Sequence, residues 1–182
     1  MDLEAKALAI CQFQAQVVPA LLQTESYARS TLEAACPPSP PQRVNDLLKT
    51  RMERQLLLNR ATPPMVQYVV DENAFRRPIG GPEAMQEQLE QVIERAGSPF
   101  ISLQVLPYDR GAHAGLEGTF TLLGMTPVEY VVYGETAGRG QIFTDVDVVS
   151  ATTHRFGALR ALALSPAESL EFVRSLVERE AP

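Results

Sequence analysis

Apolar residues recur along the chain at two spacings, and their order predicts the elements. Leu3, Ala7, Ile10 and Val17 repeat at helical intervals behind Asp2, which predicts an amphipathic helix ending before Pro19. Thr24 reads as the cap of a second short helix through Tyr27, Ala28 and Leu32, which stops at a stiff Pro-rich connector over 36–41. A third helix is predicted over 42–59, with Pro41 in its first turn. Alternation then predicts a strand over 65–71. Gly80-Gly81-Pro82 marks a turn into a helix whose buried face is Met85, Leu89, Val92, Ile93 and Ala96, stopped by Gly97. Strands follow over 100–106, 119–123 and 128–133, with a short edge strand at 141–143. Thr144 with Asp147 resembles a capping box for a helix through Val148, Phe156, Leu159 and Leu162. Ser165 with Glu168 is a stronger box for a final helix to about Arg179. Helices around a local strand meander, with no internal repeat, predict one α+β domain over 1–182, its helices packed around a small, mostly antiparallel sheet.

Three places break the binary pattern, and chemistry is sought there. On the third helix, Val44, Leu47, Leu48, Met52 and Leu58 form an apolar stripe whose middle holds Arg51 and Gln55. An inward guanidinium needs a carboxylate or several carbonyl acceptors; the alternative is an Arg snorkelling past the stripe's edge. On the strand after it, Val66, Tyr68 and Val70 share a face that continues to Glu72, so an Arg51–Glu72 pair would repair both departures. The third place is the polar insert 108–117 between two apolar strands. Asp109, Arg110, His113 and Glu117 cannot lie on a buried strand face, so the insert must be a loop at the sheet edge. Glu135 is a further carboxylate at a strand end, on the same face as Val131 and Tyr133.

Length, 182 residues, and an even spread of hydrophobic residues fit a single core. No run approaches the roughly 18 apolar residues of a membrane span, and the start lacks a secretory pattern, which predicts a cytoplasmic protein. Cys11 and Cys36 match no zinc or redox spacing. A net charge of −6, with scattered basic residues, argues against direct contact with nucleic acid. Phosphate-loop, dinucleotide, zinc-protease, calcium-loop and nucleophile-elbow patterns are missing, so no cofactor and no metal are expected. His154 reads as a surface residue. His113, in the insert, is the better candidate for acid–base work.

The order of several phrases carries a resemblance: residues 18–29 (Val-Pro-Ala-Leu-Leu-Gln-Thr-Glu-Ser-Tyr-Ala-Arg), Arg51-x-x-Arg54-Gln55, 70–77 (Val-Asp-Glu-Asn-Ala-Phe-Arg-Arg), Leu106-Pro107 with Gly111-x-His113, 118–123, and 163–169. The chain resembles the domain that follows the helix-turn-helix in antitoxin-like XRE-type transcriptional regulators of actinobacteria. The resemblance implies a domain that senses a small ligand or a small companion protein. The helix-turn-helix itself has no counterpart in this sequence, and Ala20 stands where the family usually has Gly. The expected function is therefore binding of a small molecule or partner protein, with Arg51, Glu72, Arg76, His113, Glu117, Tyr133 and Glu135 as candidate ligand contacts. The alternative is an enzyme in which Glu72, Glu117, Glu135 and His113 supply acid–base groups and Arg51, Arg76 or Arg77 clamps an anion. A homodimer is compatible with everything in the sequence. The cavity expected at the sheet edge has Tyr68, Phe120 and Val131 as its apolar floor.

Overall fold

A computed structural model describes residues 3–136 and 139–180, the side chains at 135, 136, 139, 179 and 180 excepted. The strands are β1 (Ala9–Gln14), β2 (Met65–Asp71), β3 (Ile101–Leu106), β4 (Phe120–Gly124), β5 (Tyr130–Thr136) and β6 (Arg139–Phe143). They form one sheet in the order β3-β2-β1-β4-β5-β6. The β1–β2 and β2–β3 pairs are parallel, and the pairs from β1–β4 outward to β6 are antiparallel. The class is α+β with a mostly antiparallel sheet, as the pattern predicts.

Parallel neighbours need crossovers. The β1 to β2 crossover carries α1 (Glu25–Glu33) and α2 (Pro41–Gln55). The β2 to β3 crossover carries the single turn α3 (Asn73–Arg76) and α4 (Pro82–Ala96). α5 (Val146–Leu162) and α6 (Pro166–Glu180) follow the sheet. Thr24 caps α1 by accepting from the Tyr27 N–H, and Pro41 opens α2 as predicted. α5 is capped one residue later than the sequence argues: Asp145, not Thr144, accepts from the amides of Asp147 and Val148.

The first predicted helix is wrong. Residues 9–14 are the central strand of the sheet, preceded by a 3₁₀ turn at Glu4–Lys6. Ile10 and Phe13 are three residues apart, which mimics helical spacing. In the strand they point to opposite sides and enter two different cores. A strand buried on both faces shows no clean alternation, so its period misleads.

Those two cores flank the sheet. On one side Val66, Tyr68, Val70, Leu103 and Val105 pack with Leu22, Tyr27, Met85, Leu89 and Val173. On the other, Phe13, Val69, Leu106, Phe120, Leu122 and Val132 pack with Phe156 and Leu159 of α5. The outer edge of β3 is closed where α5 passes into α6. The Val105 N–H donates to Ser169 Oγ at 2.8 Å, and the Leu164 N–H donates to the Val105 carbonyl at 2.9 Å.

Candidate functional site

The carboxyl ends of β1, β2 and β3 meet where the sheet changes sense, β1 being parallel to β2 and antiparallel to β4. The loop 107–119 lies over this edge, and polar groups fasten it. Glu72 is buried at the end of β2; one carboxylate oxygen takes the Arg76 Nε–H and the other takes the Tyr108 N–H at 3.0 Å. The Arg76 guanidinium also lies 5.5 Å above the Phe172 ring. Asp71, one residue earlier and so on the opposite face, accepts from the Asn73 N–H at 2.9 Å. Its second oxygen is 3.8 Å from His113 Nε2. His113 Nδ1 accepts from the Gly115 N–H at 3.1 Å, which leaves the ring proton of the neutral imidazole on Nε2, toward Asp71. The imidazole is edge-on to Phe13 at 5.9 Å.

Gly115 is required where it stands, because a Cβ there would fall 2.3 Å from the Phe13 ring. Arg155 pins the same loop from α5. Its Nε donates to the Ala114 carbonyl at 3.1 Å, Nη1 is 3.3 Å from Glu117, and the guanidinium lies 4.8 Å over the Phe120 ring. Its buried Nη2 has no hydrogen-bond partner among the described residues. Burial, with Asp71 and Glu72 close by, pushes the Tyr108 phenol above its ordinary range.

The predicted site residues divide accordingly. Glu72, Arg76 and His113 gather at the end of β2, with Asp71 as the link that sequence reasoning missed. Its strand-end position beside Glu72 was the available signal. Glu117 belongs to the same loop but is largely exposed and turned to Arg155. Arg51 is elsewhere and does not meet Glu72. Its guanidinium donates to Gln23 Oε1 and Thr31 Oγ1, both at 2.9 Å. The reason is where α2 lies: it packs on α1 and on the 3₁₀ turn Ala20–Leu22, away from the end of β2. Gln55, its companion on the inward stripe, is buried and donates to the carbonyls of Ala20 and Gln23 at 3.0 and 2.7 Å. Tyr133 is on β5, opposite Thr121 and Ile142, with its ring against Gly140. Glu135 pairs with Gly140 in the ladder, and its side chain lies outside the described residues.

The expected apolar floor does not exist as one surface. Tyr68 and Val131 belong to one core and Phe120 to the other, so the sheet itself separates them. Tyr68 is fully buried, its hydroxyl has no hydrogen-bond partner among the described residues, and burial drives its pKa far upward. Two open concavities lie along α1 and α2. One of 260 Å³ is lined by Arg29, Glu33, Pro41 and Asn45, and one of 410 Å³ by Arg29, Leu48, Lys49 and Met52. Among the described residues no group of three or more His, Cys, Asp or Glu is placed to hold a metal ion, and no helix is long and apolar enough to cross a membrane.

Residues 1–175 match the family described as a domain of unknown function, DUF5753, and the chain belongs to that family. No curated protein and no solved structure matches the chain.

Proposed function

We propose that this DUF5753 domain is a sensing module that binds a small molecule, or a short segment of a small companion protein, under the loop 107–119. One observation carries this reading. The loop is held over the strand ends largely by polar contacts, from Glu72, Asp71 and Arg155 to Tyr108, His113 and Ala114, which a polar ligand can replace one for one. A catalytic reading asks for an acid or base with room for substrate beside it. Here Glu72 already accepts two hydrogen bonds and both nitrogens of His113 face partners. The setting that fits is the cytoplasm, in the company of XRE-type regulators of actinobacteria. The net charge of −6 supports action through a ligand or companion rather than by touching DNA.

The second reading, an enzyme of secondary metabolism, draws on the Asp71–His113 pair. A carboxylate that orients an imidazole is also the arrangement of a general base. One experiment separates the two. Amide exchange in 107–119 is followed while the chain is titrated with the product of any small reading frame found beside its gene or with fractionated metabolites. Slowed exchange with the added compound recovered unchanged supports sensing. Time-dependent conversion of a metabolite that His113→Ala abolishes supports the enzyme. Binding that leaves the loop's exchange untouched excludes it as the site.

A further inference from the structure

The Arg155 guanidinium is satisfied at Nε and not at Nη2. Nε donates to the Ala114 carbonyl at 3.1 Å, and the guanidinium carbon lies 4.8 Å from the centre of the Phe120 ring. The ring engages the positive charge but offers no lone pair to an N–H. Nη2 is buried and meets no acceptor among the described residues. Most buried donors have an acceptor, and one that belongs to a charged group is costly to leave without.

The partner of Nη1 supplies the second observation. The Glu117 carboxylate is 3.3 Å from Nη1, its side chain is 80% exposed, and it makes no hydrogen bond to Nη2. So exposed an ion pair holds weakly, because water screens it and ordering the side chain costs entropy. Nη1 and Nη2 share an edge of the guanidinium that matches a planar carboxylate through two parallel bonds. Glu117 fills half of that match.

We infer that the Nη1–Nη2 edge of Arg155 binds a carboxylate, which displaces Glu117 from Nη1 and gives Nη2 the acceptor it lacks. One carboxylate replaces another, so the local charge is unchanged. Nη2 is buried, so an incoming group reaches it only by shifting a neighbour, and the exposed Glu117 is the partner most easily moved. Glu117 belongs to the loop that Arg155 also pins through Ala114. Under the sensing reading, that displacement is what the loop reports. The inference rests on that reading for the place of the ligand and adds its chemistry: an organic acid, free or as the carboxyl end of a peptide. In this arrangement Glu117 competes with the ligand instead of contacting it.

Nuclear magnetic resonance of the Arg155 N–H groups, with amide exchange in 107–119, tests it. The probes are phenylacetate, its neutral counterpart phenylacetamide, and acetylated tetra-alanine with a free or an amidated carboxyl end. A carboxylate is expected to shift the Arg155 Nε–H and Nη–H signals and to slow exchange in the loop, and the matching amide to bind at least about tenfold more weakly. Whether phenylacetate or the peptide acid binds identifies the source. Glu117→Gln removes the competitor and should tighten binding about two- to fivefold, the reach of an exposed ion pair. Arg155→Lys keeps the charge without the paired donors and should weaken binding at least about tenfold, with circular dichroism unchanged. Neither carboxylate shifting Arg155 at millimolar concentration, even in Glu117→Gln, overturns the inference; so does an amide that binds as well as its acid. The two readings fail separately. A companion product or metabolite fraction that slows the loop's exchange equally in the parent and in Arg155→Lys keeps the sensing reading and overturns this one. A carboxylate that shifts Arg155 while exchange in 107–119 stays unchanged keeps the acid site and overturns the sensing reading.

Discussion

The two sides of the sheet are finished to different degrees. The side covered by α1, α2, α4 and α6 is closed by the chain's own side chains, and among the described residues the Tyr68 hydroxyl is its one buried side-chain polar atom without a hydrogen-bond partner. Gln88 is fully buried; its Oε1 accepts from the Thr24 N–H at 2.9 Å and its Nε2 donates to the Leu22 carbonyl at 2.7 Å. Gln55 ties the Ala20 and Gln23 carbonyls of the same segment, and Gln91 adds a second donor to the Leu22 carbonyl. Buried amides of this kind satisfy backbone groups that no ladder reaches. The α5 side has one helix, the exposed side chains of Met65, Phe100 and Tyr130 at one end of the sheet, and a loop held by side chains at the other. The contrast separates a face that the chain's own helices cover from one that leaves apolar side chains open to solvent.

The strongest way to break the comparison is to remove the residue on which the α5 side rests. Phe13 contacts His113, Gly115 and Phe120. Phe13→Ala is expected to cost about 3 to 5 kcal/mol and to free the loop, read as a lower urea midpoint and faster exchange in 113–118. A loss confined to stability, with the loop's exchange unchanged, would show that the loop does not depend on this ring. Next is Gln88→Leu on the completed side. It leaves the Thr24 N–H buried without an acceptor, and about 1 to 3 kcal/mol should be lost in chemical denaturation. Arg155→Met keeps an apolar stem over Phe120 and deletes the bond to Ala114. About 1 kcal/mol is expected, with the main change in loop exchange rather than in global stability. If global stability fell by as much as in Phe13→Ala, Arg155 would be a core residue and not a latch.

Legibility followed the same divide. Elements with clean periods or strong punctuation were readable: β2 from its alternation, α4 from Gly81-Pro82 and Gly97, α6 from Ser165 and Glu168. β1 was not, because Ile10 and Phe13 serve two cores and their spacing imitates a helix. Of the pattern breaks, Gln55 and Glu72 are buried and Arg51 is half-buried, but assigning partners from pattern alone failed. Arg51 found neutral acceptors on α1 and its approach, and Glu72 took a donor four residues on and a backbone amide across the edge. Partner choice depends on where a crossover helix comes to rest, and periodicity does not encode that. The role of Asp71 was hidden for the same reason: it needs the loop's path, which polar contacts between remote positions set.

The smallest effect sharpens the seam between the two sides, where the chain leaves α5 and enters α6 around the edge of β3. The Ser165 N–H donates to Glu168 at 2.8 Å, and the Glu168 N–H donates back to Ser165 Oγ at 3.3 Å. The bonds from Ser165 hold the Glu168 carboxyl below its ordinary value of 4.5. A folded-state pKa below the unfolded one means that the contribution is complete above about 4.5 and is lost as pH falls through the depressed value. Glu168→Gln keeps an acceptor for the Ser165 amide but does not titrate. The variant should therefore match the parent near neutrality. Under acid, the parent alone should show faster exchange at the Val105 amide, which Ser169 holds from the first turn of α6. If parent and variant lose Val105 protection at the same pH, the capping pair does not fasten the seam.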